Sequence, residues 1–118
     1  MDNKKFNTLV DELRTASIDT LAAKNAKYAG YSGDALHNFR EGAAFTGDTT
    51  AQTCWGYMAK HLVALHDMVI LNRFDDREDF LEKCKDTVNY LCILWAIGNE
   101  QREIAQMALN WEKEETKE

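Results

Sequence analysis

Residues 49–72 read TTAQTCWGYMAKHLVALHDMVILN, and this stretch decides the fold. Thr49 followed three residues later by Gln52 is a capping-box pattern, in which each side chain satisfies a free backbone N–H at a helix start. At about 100° per residue, Cys54, Met58, Leu62, Leu65 and Val69 then fall on one stripe. Gly56, Lys60, Val63, Asp67 and Ile70 lie roughly opposite. A helix that is apolar on two sides is central in its domain or lies in an oligomer interface.

Working outward, the turn Arg73-Phe-Asp-Asp76 reverses the chain. Asp75 or Asp76 can cap a next helix, whose first turn carries Glu78 and Asp79, acidic as the helix dipole favours. That helix has a main stripe of Leu81, Cys84, Val88, Leu91 and Trp95, with Glu82, Asp86, Tyr90, Ile93 and Ile97 on its other side. Gly98-Asn99 reads as its end and as the cap of a last helix bearing Ile104, Met107, Ala108 and Trp111. The alternative is one helix running straight through at modest cost. Upstream, Phe6, Leu9, Val10, Leu13, Ala16 and Leu21 mark a first helix from about Asn3 to Tyr28. A glycine-bearing loop separates it from a short helix over about 35–45, with Asp34 as cap and Gly47 as stop. The expected fold is therefore all-α: a compact bundle of four to five helices around a central antiparallel pair.

The 118 residues suit one domain, 1–118, with 112–118 as a frayed charged tail. A hydrophobic fraction of 45%, a charged fraction of 29% and no proline fit a helical globular chain. The net charge of −6 argues against a nucleic-acid duplex as partner, because phosphate-backbone binders concentrate Lys and Arg. No apolar run reaches the ~18 residues of a membrane span and no signal region opens the chain, so no membrane partner is expected. Cys54, Cys84 and Cys92, an odd number without metal-site spacing, read as reduced, buried thiols of a cytoplasmic protein. The two-sided helices and the tryptophans Trp55, Trp95 and Trp111 point to a homo-oligomer with the third and fourth helices in its interface.

Several polar residues interrupt apolar faces. Lys24 falls in line with Phe6 on the first helix, with Tyr28 one turn on. A charge there must snorkel, pair or meet a ligand. In an antiparallel hairpin turning near Phe74, Lys60 and Asp86 reach similar heights, so Lys60, Asp86 and Tyr90 can converge, as a salt bridge or as a ligand site. His61 suits a hydrogen-bonded core position, His66-Asp67 lacks the companions of a metal site, and His37-Asn38 follows the glycine loop. Glu78, Glu82 and Asp86, one turn apart, suit either a solvated face or a Mg²⁺ held through carboxylates and waters. Phosphate-loop and dinucleotide patterns are absent.

The segments Lys24-Asn-Ala-Lys-Tyr28, Asn38-Phe39, the Lys60 helix and Asp86-Thr-Val-Asn-Tyr90 resemble a group of small all-α phage and prophage proteins associated with nucleotide modification. Those are distantly similar to the MazG-like nucleotide pyrophosphohydrolases, and the resemblance spans about residues 20–97. It implies a phage protein that binds a nucleotide or nucleotide-derived signal, to sequester or modify it, in the host cytoplasm and in the service of counteracting host defence. The ligand-binding residues it implies are Lys24, Tyr28, Asn38, Lys60, Asp86 and Tyr90, to which Lys27 is added as a phosphate contact. The magnesium-holding pair of the MazG-like enzymes, E-E-x-x-E followed by E-x-x-D, has no counterpart here, so no metal site or cofactor is expected and catalysis stays open. Mg²⁺ enters only under the pyrophosphohydrolase alternative. A further alternative is an acidic inhibitor or adaptor that acts on a host protein by surface contact.

Overall fold

Local chemistry sets the ends of each helix. The structure, a computed structural model, describes residues 1–29 and 32–116, without the side chains of Ala26 and Tyr28. Among the described residues it contains four helices: α1 (Asn3–Ala29), α2 (His37–Thr46), α3 (Thr50–Ile70) and α4 (Arg77–Glu115). No strand occurs among the described residues. The Asp2 carboxylate accepts from Lys5 N at the start of α1. Both halves of the Thr49–Gln52 capping box form on α3, and Asp76 caps α4 through Asp79 N. Gly47 ends α2 in the left-handed conformation that glycine adopts without strain. Asp34 receives the Leu36 N–H just ahead of α2, although Leu36 itself occupies the cap position.

The Gly98-Asn99 break does not occur. α4 runs through both residues for 39 residues, about 58 Å at 1.5 Å per residue. Asn99 Nδ2 donates to the Trp95 carbonyl one turn back, so its polar side chain is accommodated within the helix it was expected to end. Glu112 to Glu115 stay helical, and residues 117–118 lie outside the described chain. This one long helix makes the molecule elongated, 66 × 36 × 30 Å, where a compact bundle was expected. Its radius of gyration is 18.6 Å, against about 13.5 Å for a compact chain of this length.

The core is small and lies where α2 meets α3 and α4. Leu36, Phe39, Cys54 and Ile97 form its centre, with Tyr57, Tyr90 and Ile93 packed around them. α2 approaches α3 closely at Gly42, where an added Cβ would lie 2.6 Å from the Tyr57 hydroxyl. The buried face of α4 is not the more apolar one. Asp86, Asn89 and Ile97 point inward, whereas Leu91 and Trp95 of the expected main stripe are exposed, Trp95 by 74%. On α3, Cys54 and Met58 are buried as expected, while Val63, Val69 and Ile70 are exposed.

Arg40 clasps α2 to α4. Its guanidinium donates through Nε to Asp34 at 2.6 Å and forks onto both Glu100 oxygens at 2.7 and 2.6 Å. The hydrogen bond from Arg40 is the main reason the carboxyls of Asp34 and Glu100 sit below the usual range. Carboxyls depressed in the folded state contribute stability above their unfolded pKa of about 4 and lose it as pH falls through the folded value. Arg40→Met should therefore lower the melting temperature at pH 7, and the gap to wild type should close below about pH 4. A gap independent of pH would assign the effect to packing alone.

Thiol exposure departs from expectation. Cys54 is buried and Cys84 half-buried, and burial raises both thiols, but Cys92 is exposed. Labelling of native protein followed by peptide mapping should modify Cys92 first and Cys54 last.

Candidate functional site

α1, α3 and α4 enclose a polar cluster in an otherwise apolar junction. Asp86 and Asn89 are one turn apart on α4, exposed by only 9% and 6%. Lys24 of α1 brings Nζ to 3.5 Å from Asp86 Oδ1, and His61 of α3 brings Nδ1 to 3.7 Å from Oδ2. The His61 and Tyr90 rings pack at 5.2 Å, and Tyr90 meets Phe39 edge-on at 6.5 Å, which joins the cluster to the core.

The cluster is held by charge without being saturated by hydrogen bonds. Asp86 Oδ1 lies within ion-pair range of Lys24 but makes no hydrogen bond among the described residues. Asn89 is more exceptional: neither its amide nitrogen nor its amide oxygen has a partner among the described residues. A buried polar group left unmatched costs about 1–3 kcal/mol, so this segment of α4 carries an energetic burden that packing alone does not repay.

These atoms face a cavity lined by Leu21, Lys24, Asp86, Asn89, Tyr90 and Ile93. Its volume is about 10 Å³, room for roughly one water. Leu21 and Ile93 are also walls of a much larger open groove of about 380 Å³ between α1 and α4, whose lining includes Asn25, Leu36 and Cys92. A groove of this size falls within the range of small-molecule sites. The arrangement can present a cation, a carboxylate and an amide's donor and acceptor to one edge of a ligand lying in that groove.

Of the residues singled out in the sequence, Lys24, Asp86 and Tyr90 come together here. Lys60 does not. It is exposed, and among the described residues it makes no ion pair. His61, one step further round α3, takes the place beside Asp86, because adjacent helical residues point about 100° apart. Lys27 and Asn38 are exposed and absent from the cavity wall. The Tyr28 side chain lies outside the described residues. The carboxylate ladder splits, with Glu78 and Glu82 exposed and Asp86 buried. Among the described residues no group of three or more His, Cys, Asp or Glu is placed to hold a metal ion. His66 and Asp67 form a surface pair at 3.8 Å.

Asn89 is the residue that sequence reading missed. It sits three positions after Asp86, so a polar residue one turn along a buried face was the available signal. No helix among the described residues is long and apolar enough to cross a membrane. No family model, curated protein or solved structure matches the chain.

Proposed function

We propose that this chain binds a nucleotide or nucleotide-derived small molecule at the junction of α1, α3 and α4, to sequester or modify it. The observation that carries the reading is Asn89, buried with both amide atoms unpartnered among the described residues, in the wall of a cavity shared with Lys24, Asp86 and Tyr90. A side-chain amide offers one donor and one acceptor side by side, a match for the edge of a nucleobase. Lys24, less buried than Asp86, supplies a cation that can turn from the carboxylate to a phosphate. The inner cavity is water-sized, so the bulk of the ligand lies in the adjoining groove and its polar edge reaches Asn89 directly or through one water.

In this reading α3 and α4 act as an antiparallel central pair, which sets His61 and Asp86 at one height. The setting is the phage-type one suggested by the resemblance, a host cytoplasm in which the protein removes or alters a nucleotide signal. Binding is favoured over MazG-like pyrophosphate hydrolysis because the chain lacks the E-E-x-x-E followed by E-x-x-D pair: the first spacing occurs only at Glu114-Glu115-Thr-Lys-Glu118, with no E-x-x-D after it. Exposed Trp55 and Trp95 on an acidic chain favour a second reading, an inhibitor docking on a host protein.

Titration calorimetry with mono-, di-, tri- and cyclic nucleotides separates the two. The ligand reading predicts saturable binding of at least one class. It also predicts an affinity about 10- to 150-fold weaker in Lys24→Met, equivalent to one charge-assisted hydrogen bond. No heat and no thermal stabilisation with any class would remove the ligand reading and favour the surface one.

A further inference from the structure

The buried face of α4 continues where the bundle stops. Tyr90, Ile93, Ile97, Glu100, Ile104, Met107 and Trp111 follow one another at alternating spacings of three and four residues, the repeat of a coiled-coil seam. Through Ile97 the seam is covered by the other helices, and Arg40 occupies its one acidic position, Glu100. Beyond that point every residue from 101 to 116 is exposed. Ile104, Met107 and Trp111 stand 53%, 69% and 68% open on the face that is core one turn earlier.

Accessible area gives the scale of what is uncovered. The chain exposes 8901 Å² at 13.5 kDa, where a compact monomer of that mass exposes about 6,500 Å². The surplus of roughly 2,400 Å² is spread over the whole elongated chain, the projecting end of α4 included, and a standard protein interface needs only ~800 Å² of it per partner.

We propose that the projecting end of α4 is a dimerisation surface whose occupant is the same segment of a second copy, laid antiparallel across a two-fold axis. The seam is self-complementary in that arrangement. Met107 of the two copies meets at the axis, Ile104 of each lies beside Trp111 of the other, and Ala108 next to the seam lets the helices approach. Isologous contacts need this self-matching, in which one patch serves both partners. The proposal stands apart from the ligand site, since none of Ile104, Met107, Ala108 and Trp111 lines that cavity or its groove.

Sedimentation equilibrium on the full chain tests it, with Met107→Glu and Trp111→Glu as variants and circular dichroism as the check on folding. The expected result is a particle of about twice the 13.5 kDa chain mass at micromolar concentration. Either substitution should raise the dissociation constant roughly 100-fold or more while the helical signal persists, since each places a charge in the centre of a desolvated interface. A wild-type monomer at ~100 μM would overturn the proposal and leave the seam to a different protein. A dimer unaffected by both substitutions would overturn it equally, by placing the interface elsewhere. Should one variant lose helicity, Ile104→Lys reports on the same seam one turn nearer the bundle.

Discussion

Phe39→Ala is expected to destabilise the fold by about 3–5 kcal/mol, the range for removing a fully buried aromatic ring. Phe39 is 1% exposed and is the largest side chain in the core. Its ring packs on Tyr57 at 5.7 Å and on the edge of Tyr90 at 6.5 Å, so it joins α2 to α3 and α4 at once. The core it fills is small, with only Leu36, Cys54 and Ile97 as its other central members, and little else can close over the space left behind. Because a domain's net stability is commonly only 5–15 kcal/mol, the loss should lower the urea midpoint substantially. A cost below about 1 kcal/mol would mean that α2 is not seated on the bundle as described. The same substitution should weaken ligand binding indirectly, through Tyr90, which Phe39 supports from the core side.

Asn89→Leu is expected to act in the opposite direction, raising stability by about 1–3 kcal/mol. Leucine is close to asparagine in shape, and it removes two unpartnered polar atoms from a buried wall while adding apolar surface. A substitution that stabilises the protein and abolishes nucleotide binding would identify Asn89 as a residue held in an unfavourable place for function. Denaturation by urea and titration calorimetry on the same preparation measure both effects. If Asn89→Leu instead lowers stability, the amide is satisfied in solution by an ordered water or a protein group, and the cluster is structural.

Much of the fold is legible in the sequence because helix ends announce themselves locally. Thr49 with Gln52, Asp76 and Gly47 each act through a backbone hydrogen bond or a φ value that depends on a few neighbouring residues. The continuity of α4 is not legible in that way. Gly98 costs about 1 kcal/mol in a helix relative to alanine, and that local cost is outweighed by the burial of Ile97 and the Arg40–Glu100 contact on either side of it.

The candidate site is legible in part for a related reason. Lys24, Asp86 and Tyr90 are visible as polar interruptions of helical faces, but which face turns inward is a tertiary property. On the more apolar side of α4, Leu91 and Trp95 are turned outward and Leu81, Cys84 and Val88 are only half-buried, whereas the face bearing Asp86 and Asn89 is turned inward. Ranking faces by hydrophobicity alone therefore conceals Asn89. The same ranking places Lys60 of α3 beside Asp86, where the structure has His61.

Native mass spectrometry of the full chain weighs the assembly and anything held in the polar cluster together. The chain, incubated with an equimolar mixture of nucleotides, should appear with a mass increment of one nucleotide-type molecule per subunit, and Asn89→Leu should appear without it. Wild-type and Asn89→Leu chains both appearing at bare protein mass, whatever the nucleotide concentration, would contradict the assignment of Lys24, Asp86, Asn89 and Tyr90 as a ligand site.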